Sequence, residues 1–563
     1  MGKEIGIDLG TTNTVVSYMN RYNNIRTMNL KSNKNRAIIP SVIYFKSRND
    51  ILIGVSAKSK GTVRPRACIK DFKSRLGNMK FKYSVTAENG EKFNITASKA
   101  VSIFLKKVIE DAQNVISDEF YDTPELASID KVVISVPAKF EENQISDLKR
   151  AAKEASLNNV ELIPEPTAAA IAYINEHDIK NNENILVYDF GGGTFDIAIL
   201  ERNGNSFSSP QTDGDVHLGG NDITKRIIED VIMHINDDFK MNMPSKPEDY
   251  DEEYCNIDKD IFIRNYNEIF RACNDDIKHL YGNNGDEFTG DIKIITGRKD
   301  DGNYISRRFD YYYNIDDIEN IIRKDIENTV ERTKNAVLRA YERDVSIEKI
   351  ILAGGSSQLP LVKKMLDRMI PEIKNELKKS FSDSSGTTMT DAQINKIINK
   401  RLGRLEVVTD DDLSALISIG DAYKASQSFS FNFVPTTTSS IGIKVQKGNL
   451  KDVFETIIPE GVNIPCKYSK EFDIVMVKDN KMEIRIFECD EKIKINELIR
   501  TSSKSVRKRY TLTVKDIPNE INMKLIVTFA VQKDKTIIIN ADIKSGNRII
   551  SANHKIERDV EFL

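Results

Sequence analysis

Residues 187–200 read VYDFGGGTFDIAIL. Apolar residues lie on both sides of this stretch, whereas its middle holds three consecutive glycines and two aspartates, Asp189 and Asp196. Glycine adds no side chain to a core and loses the most conformational entropy on ordering. A buried carboxylate is unfavourable unless it is paired or binds a cation. The stretch therefore indicates a place where backbone and carboxylate groups contact a ligand.

A second copy of this pattern lies near the N-terminus. Residues 5–15 read IGIDLGTTNTV, and both stretches run apolar–apolar–Asp–apolar–Gly, then Thr, then back to apolar residues. In each copy a strand enters a tight glycine turn and another strand leaves it. The two copies, about 180 residues apart, predict two similar halves that face each other.

Two such turns could bind Mg-polyphosphate from two sides. Exposed backbone N–H groups in glycine turns bind anions, and Mg²⁺ prefers oxygen ligands and keeps most of its waters. The chain has no GxxxxGK[ST] motif, which excludes a P-loop. Either copy alone also fits an ordinary glycine hairpin turn, and the pair together favours the phosphate site. The side chains that would serve it are Thr11, Thr12, Thr194, Asp8, Asp189 and Asp196.

The composition is that of a globular protein without an electrostatic specialisation. Of the 563 residues, 40% are hydrophobic and 30% charged, which is enough to bury a sizeable core. The formal charge of −3 gives no argument for binding nucleic acid or an anionic membrane. Five scattered cysteines without a CxxC pair fit a reducing compartment. No apolar run approaches the roughly 20 residues that span a bilayer, so we expect a cytoplasmic protein.

Two patterns divide the chain. Over residues 1–424, short apolar strands such as 131–137 alternate with helical patterns such as 144–155, which is typical of an α/β fold. Residues 436–563 contain short alternating strands and are predicted to form an all-β domain. Residues 425–435 between them are predicted to be a linker.

The two hairpins and three further motifs resemble the Hsp70 chaperone family. The hairpins are similar to its two phosphate motifs, and residues 132–173 are similar to the segment that joins its two lobes. GDVHLGGND (214–222) and ILAGGSSQLPLV (351–362) resemble further signatures, the second at the adenosine pocket. The resemblance implies an α/β, actin-like, two-lobed ATPase domain with ribonuclease H-like duplicated halves, followed by a β-sandwich substrate-binding domain.

The resemblance assigns roles residue by residue. Lys73 matches the catalytic lysine, which would stabilise charge on the γ-phosphate and orient the attacking water. Glu165 matches the glutamate near that water and the metal. The rest of the predicted catalytic set is Asp189, Asp196 and Thr194. Mg²⁺ would be surrounded, through water, by Asp8, Asp189 and Asp196. ATP or ADP would be held by Gly10, Thr11, Thr12, Asn13, Gly191, Gly192, Gly193, Thr194, Gly219, Gly220, Lys278, Gly354, Gly355 and Ser356.

The implied reaction is hydrolysis of ATP, and the implied partners are unfolded or extended polypeptides. A J-domain co-chaperone and a nucleotide exchange factor are further partners that the resemblance implies. We expect a monomer that binds neither nucleic acid nor membrane.

The adenosine side departs from the family pattern. Gln358 replaces an arginine that usually stacks on the base, and glutamine offers neither guanidinium stacking nor bidentate bonding. Weaker or altered recognition of the base is therefore predicted. In the helix that should contact adenosine, the Glu, Lys, Arg and Ser usual in the family are replaced by Asn274, Ile277, Lys278 and Tyr281.

The linker and the C-terminal region depart as well. SQSFSFNFV (426–434) lacks the acidic–leucine run that couples the two domains in the family, so this coupling is in question. Its alternating Phe429, Phe431 and Phe433 fit either an apolar docking strand or a plain edge strand.

No helical lid is expected before Leu563, so a peptide groove would be open and peptide release fast. Candidates for its lining, or for ordinary core, are Leu450, Val475 and Ile484.

Three functions remain open from the sequence. The first, which we favour, is an ATP-hydrolysing Hsp70-like chaperone. The second is a nucleotide-binding adaptor with little or no ATPase activity, whose β domain binds a fixed partner. The third is an actin-fold kinase or filament protein, although the sequence shows neither a base for a phosphoryl acceptor nor a substrate cleft.

Overall fold

The computed structural model describes residues 2–140, 142–177, 183–203, 206–282, 287–384, 390–402, 405–409, 413–427, 432–434, 436–437, 439–447, 449–474, 480–489, 499, 501–503, 506–515, 517, 523–532, 537–545 and 548–556. The chain forms two compact units. The first unit comprises Met1–Ala198 and Asp213–Phe429, and the second comprises Ile199–Thr212 and Ser430–Leu563.

The α-helices in the described part of the chain all lie in the first unit. They are α1 (Gly54–Val63), α2 (Ala97–Glu119), α3 (Glu142–Glu154), α4 (Glu165–Glu176), α5 (Gly220–Phe239), α6 (Lys259–Gly282), α7 (Ile315–Glu342), α8 (Pro360–Ser384), α9 (Asp391–Leu402) and α10 (Leu416–Ser426). Among the described helices, none is long and apolar enough to cross a lipid bilayer.

The strands that precede residue 410 are β1 (Lys3–Leu9), β2 (Asn13–Met19), β3 (Ile25–Thr27), β4 (Ile39–Pro40), β5 (Val42–Phe45), β6 (Ile51–Ile53), β7 (Cys68–Lys70), β8 (Lys82–Thr86), β9 (Lys92–Thr96), β10 (Ile129–Val136), β11 (Val160–Pro164), β12 (Ile185–Phe190), β13 (Phe195–Asn203), β14 (Ser206–Asp215), β15 (Glu287–Arg298), β16 (Tyr304–Asn314), β17 (Lys349–Ala353) and β18 (Glu406–Val408). The later strands are β19 (Asn432–Val434), β20 (Ser440–Lys447), β21 (Leu450–Ile458), β22 (Cys466–Asp473), β23 (Met482–Cys489), β24 (Val506–Val514), β25 (Lys524–Val531), β26 (Ile537–Ser545) and β27 (Arg548–Ile556).

The first unit contains two sheets with the same strand pattern. One has the order β11-β10-β1-β2-β3, in which β1 and β2 form a hairpin and β10 and β11 add in parallel. The other contains β18-β17-β12-β13 in order, and β17 and β18 again add in parallel to the first strand of a hairpin. This repeat confirms the duplicated α/β halves predicted from the two glycine turns.

Most residues of the strands that carry the two turns are buried. All six residues of β12 are buried, as expected for a strand covered by helices on both sides. On the other sheet, α10 lies against β1 and α4. Gly420 lets α10 approach closely, since a Cβ there would lie 1.8 Å from the carbonyl oxygen of Ala168 on α4.

The second unit is a β-sandwich, as predicted. Its two antiparallel sheets have the orders β21-β20-β23-β24 and β22-β25-β26-β27. Apolar residues of both sheets, including Ile441, Ile486, Val527 and Ile539, form one core. Alternation of inward apolar and outward polar residues produces this arrangement.

Two sequence hypotheses concern this unit. Phe433 lies in β19, which pairs in parallel with β14, whereas Phe429 and Phe431 lie outside the described residues. Of the groove candidates, Ile484 is buried in the core, Leu450 is exposed at the start of β21, and Val475 lies outside the described residues.

Candidate functional site

The first glycine turn connects β1 to β2 and is held from one side by Ser41. The backbone N–H of Ser41 donates to the carbonyl oxygen of Thr12 at 2.8 Å, and the Ser41 hydroxyl donates to the carbonyl oxygen of Gly10 at 2.7 Å. Asn13 begins β2, directly after the turn. Thr11 and Thr12 therefore lie in a fixed turn that extends beyond the end of the sheet.

The second glycine turn faces the first. A Cβ added to Gly192 would lie 2.3 Å from Oγ1 of Thr12, and one added to Gly193 would lie 2.8 Å from Cβ of Thr11. Within the second turn, Gly191 N–H donates to the carbonyl oxygen of Thr194 at 3.0 Å. Only glycine allows this approach. The two predicted turns therefore meet, and the threonine side chains of the first turn contact the glycine backbone of the second.

The N-terminus of α5 closes one side of the second turn. Gly220 N–H donates to the Gly191 carbonyl oxygen at 2.9 Å, and a Cβ at Gly219 would lie 2.5 Å from the backbone nitrogen of Gly193. Asn221 links both turns, because its backbone N–H donates to Gly192 O at 2.8 Å and its Nδ2 donates to Thr12 Oγ1 at 3.0 Å. Sequence reasoning missed Asn221, although it directly follows the glycine pair in GDVHLGGND.

A short 3-10 turn, Gly355–Gln358, adjoins the same place. The Ser356 hydroxyl donates to the Gly191 carbonyl oxygen at 2.8 Å. Gly354 has φ +79°, and a Cβ there would lie 2.6 Å from Oδ1 of Asp189. Gly354, Gly355 and Ser356 thus lie beside the second turn.

The three predicted metal-binding carboxylates lie at the strand ends beneath the turns. Burial, followed by the negative charge of Glu165, raises the pKa of Asp8 to about 7 and that of Asp196 to about 7. The pKa of Asp189 is raised well above its ordinary value, first by burial and then by Glu165. A cation bound beside these three carboxylates would favour their ionised forms at neutral pH.

Asp196 fits a hydrated cation in particular. Both of its oxygens are buried, and neither makes a hydrogen bond of normal geometry with a described residue, although the nearby Thr194 hydroxyl favours the ionised form. Among the described residues, no three Asp, Glu, His or Cys side chains are placed to ligate one metal ion directly. The donor set is therefore suited to Mg²⁺ that keeps its waters.

Lys73 and Glu165 form a buried ion pair next to these carboxylates. Lys73 Nζ lies 2.5 Å from Glu165 Oε1, and the residues are 3% and 5% exposed. Burial lowers the pKa of the Lys73 ammonium, but the negative charges of Glu165 and Asp8 outweigh it, so the net pKa is raised. The lysine is therefore a fixed cation at neutral pH.

The adenosine side is described only in part. Gln358 is exposed, and its Nε2 is 3.5 Å from Oγ of Ser414. Helix α6 contains the other predicted positions, whose side chains lie outside the described part of the chain: Asn274, Ile277, Lys278 and Tyr281.

Asp421 was missed from the sequence. It lies on α10, fully buried, and neither of its oxygens makes a hydrogen bond of normal geometry with a described residue. Burial, together with the charges of Asp8 and Glu165, raises its pKa well above the ordinary value, which the nearby Ser135 hydroxyl only moderates. A lone aspartate in the apolar helix ISIGDAYKAS could have signalled it.

Comparison with known proteins identifies relatives of the whole chain. A family model described as "Hsp70 protein" matches residues 4–385. The "Chaperone protein DnaK" of Thermosipho africanus is 25% identical over 561 residues, covering 99% of this chain and 81% of that protein. That of Thermotoga maritima is 26% identical over 560 residues with the same coverage, 99% and 81%. The "Chaperone protein dnaK" of Guillardia theta is 25% identical over 509 residues, covering 87% and 70%.

Proposed function

Because the chain belongs to the Hsp70 family and is an Hsp70-like chaperone, we propose that its first unit binds Mg·ATP at the two facing turns and hydrolyses it. The observation that carries this proposal is the approach of Gly192 and Gly193 to Thr12 and Thr11. Such a pair of turns presents backbone N–H groups and hydroxyls to an anion from both sides.

The position of each predicted residue indicates its proposed role in binding Mg·ATP. The turns, together with the N-terminus of α5, would bind the phosphates, because a helix N-terminus carries partial positive charge. Asp8, Asp189 and Asp196 would hold Mg²⁺ through water, and bound Mg²⁺ would neutralise charge on the phosphates. Gly354, Gly355 and Ser356 would line the adenosine side.

Lys73 would act on the reacting phosphate. Its ammonium is held by Glu165 and cannot turn away without leaving a carboxylate buried and unpaired. A fixed cation of this kind stabilises charge that develops in the transition state and orients the attacking water. Glu165 would thereby hold the lysine in place and, as the family resemblance implies, would lie near the attacking water and the metal.

The second unit would bind extended apolar segments of unfolded polypeptides, with the domains divided as 1–424, 425–435 and 436–563. A cytoplasmic monomer, served by a J-domain co-chaperone and a nucleotide exchange factor, is part of the same proposal. A β-sandwich binds such segments by backbone pairing with side-chain pockets.

Asp196→Asn tests the hydrolysis. The substitution is expected to lower the single-turnover rate of ATP hydrolysis about 10–100-fold, the usual effect of removing an outer-sphere partner of a metal. It should also raise the free energy of unfolding of the ligand-free chain, because the buried charge is gone. Quenched-flow measurement of phosphate release and urea unfolding check the two effects, with the exposed Asp238→Asn as control.

The same assay with an extended apolar peptide tests the chaperone cycle. Peptide stimulation of wild-type turnover that is lost in Asp196→Asn fits the proposal. Mg-dependent nucleotide binding without any wild-type turnover would contradict hydrolysis and leave the adaptor function.

Gln358→Arg tests the predicted loss of base stacking. The guanidinium is expected to tighten ATP binding roughly 2–30-fold, the range of a cation–π contact of about 0.5–2 kcal/mol. Gln358→Lys should gain less, because an ammonium lacks the planar fork. Isothermal titration with ATP and GTP provides the measurement. A wild-type chain that already prefers ATP strongly at submicromolar affinity would contradict the prediction.

A further inference from the structure

The turn that carries Lys73 is too short to hold its own position. Lys73–Arg75 is a single 3-10 turn, closed by weak backbone hydrogen bonds of 3.2–3.3 Å. One turn of helix has no stability of its own. The position of Lys73 Nζ therefore depends on what fixes the residues on either side of the turn.

On the N-terminal side, the turn is fixed by packing. Phe72 is fully buried, and its ring lies 5.2 Å from that of Phe104 on α2. This contact fixes where the turn begins, and Leu76, directly after the turn, is buried in the same core.

Beyond Leu76, Gly77 is bound by two side chains of α3. Its carbonyl oxygen accepts weakly from Nδ2 of Asn143 at 3.4 Å, and its N–H is bound by a carboxylate. Gly77, with φ +82°, donates its backbone N–H to Oδ2 of Asp147 on α3 at 2.8 Å. The other oxygen of Asp147 accepts from Nη2 of Arg150 at 2.5 Å. Asp147 is only 6% exposed, so this charge-assisted bond is protected from water.

Helix α3 is itself a rigid support. Leu148, Ala151 and Ala152 on the same helix are buried in the core, and the Ser98 hydroxyl on α2 donates to the Asp147 carbonyl oxygen at 3.1 Å. The chain reaches α3 from β10, which pairs in parallel with the strand that carries Asp8. Asp147 thus connects the lysine turn to the framework that positions the metal-binding strand.

We propose that Asp147 is a positioning residue for Lys73: its carboxylate anchors the turn through Gly77 and so fixes the ammonium against Glu165 and the reacting phosphate. This inference rests on the proposed ATP hydrolysis. Asp147 does not contact the reacting atoms, and its effect passes through the backbone of residues 73–77.

The test compares Asp147→Ala, Asp147→Asn and Asp111→Ala in the full chain. Asp111 is a matched control, since it is also 6% exposed, also accepts from a backbone N–H (Ser32, 3.1 Å), and lies on α2 away from the lysine turn. Single-turnover rate, KM for Mg·ATP and hydrogen exchange of residues 72–78 are measured for each variant.

Asp147→Ala is expected to lower the single-turnover rate about 10–100-fold, as small misplacements of a catalytic group do, with KM within about threefold of wild type. Exchange in residues 72–78 should accelerate. Asp147→Asn keeps an acceptor for Gly77 and should restore most of the rate, and Asp111→Ala should lose stability without losing rate.

Two results would overturn the inference: a wild-type rate in Asp147→Ala, or an equal loss of rate in Asp111→Ala. Unchanged exchange at residues 72–78 in Asp147→Ala would do the same. A wild-type chain that binds ATP but never hydrolyses it would instead defeat the proposed function, and is recognised before any variant is compared.

Discussion

Lys73→Ala is expected to lower the rate of ATP hydrolysis by about 10²–10³-fold, the effect of removing one preorganised donor from a transition state. The ammonium is buried, is charged at neutral pH, and lies 2.5 Å from Glu165 Oε1. A water molecule in its place would carry no positive charge at this buried position, which is 3% exposed. Nucleotide affinity should change far less than the rate, because the turns that bind the phosphates are untouched.

The same substitution should also destabilise the chain. Removing one partner of a buried ion pair costs about 3–5 kcal/mol, because the other charge is left uncompensated. Here that charge is Glu165, which already raises the pKa of Asp8, Asp189 and Asp196. A loss of rate alone would therefore not separate chemistry from misfolding.

The double variant Lys73→Met, Glu165→Gln separates the two effects. It removes both charges at similar volume, so the free energy of unfolding should return towards the wild-type value while the hydrolysis rate stays low. The exposed Lys99→Ala, whose ammonium pairs with Glu154 at 3.0 Å, serves as control. A single-turnover rate of Lys73→Ala within threefold of wild type would contradict a role for this lysine in the reaction.

The parts of the site that the sequence predicted are those in which the backbone restricts the choice of residue. A turn that meets another turn must have glycine at the contact, so Gly192 and Gly193 are visible in the sequence as a run. Because the pattern occurs twice, it also predicted the duplicated halves and their facing turns. Lys73 and Glu165 follow no such local rule, since they are 92 residues apart. Only the family resemblance suggested them, and the fold brings them into contact.

The roles of other residues could not be predicted from the sequence, because they depend on how the helices and turns pack in the fold. Asp147 occurs in a helix whose charged residues suggest a solvated face, and only the position of Gly77 against α3 shows that its carboxylate is used. Residues 374–404 are polar and Lys-rich, yet α8 continues to Ser384 and α9 covers Asp391–Leu402. Helix propensity and burial of Ile394 and Ile398 outweigh the polar composition there.

Asp421→Asn is expected to stabilise the ligand-free chain at pH 8 by about 1–3 kcal/mol, the cost of a buried polar group that is poorly hydrogen-bonded. Asp421 contacts β1 beside Gly6, where a glycine Cβ would lie 2.6 Å from its own Cβ, and it has no paired cation among the described residues. An amide has nearly the same shape as a protonated carboxylic acid and never needs to ionise. The gain should therefore grow as the pH rises above the ordinary carboxyl pKa, where the unfolded wild-type chain is ionised.

The sign of the pH dependence follows from the raised pKa. A carboxylate with a folded-state pKa above its unfolded value contributes stability that is fully present at low pH and is lost as the pH rises through the folded pKa. For Asp8 and Asp196 this loss begins near their ordinary pKa of 3.8 and is complete near pH 7. Each group that is protonated only in the folded state lowers the free energy of unfolding by about 1.4 kcal/mol per pH unit.

Urea unfolding of the ligand-free chain at pH 5 and pH 8, with and without Mg·ATP, measures these contributions. Wild type should be less stable at pH 8 than at pH 5. Mg·ATP should reduce that difference, because the positive charge of Mg²⁺ favours the ionised forms of Asp8 and Asp196. Asp421→Asn should gain more stability at pH 8 than at pH 5, whereas Asp111→Asn, whose carboxylate already accepts a hydrogen bond, should gain at neither. Destabilisation by Asp421→Asn at both pH values would mean that this carboxylate is ionised and paired in the folded chain.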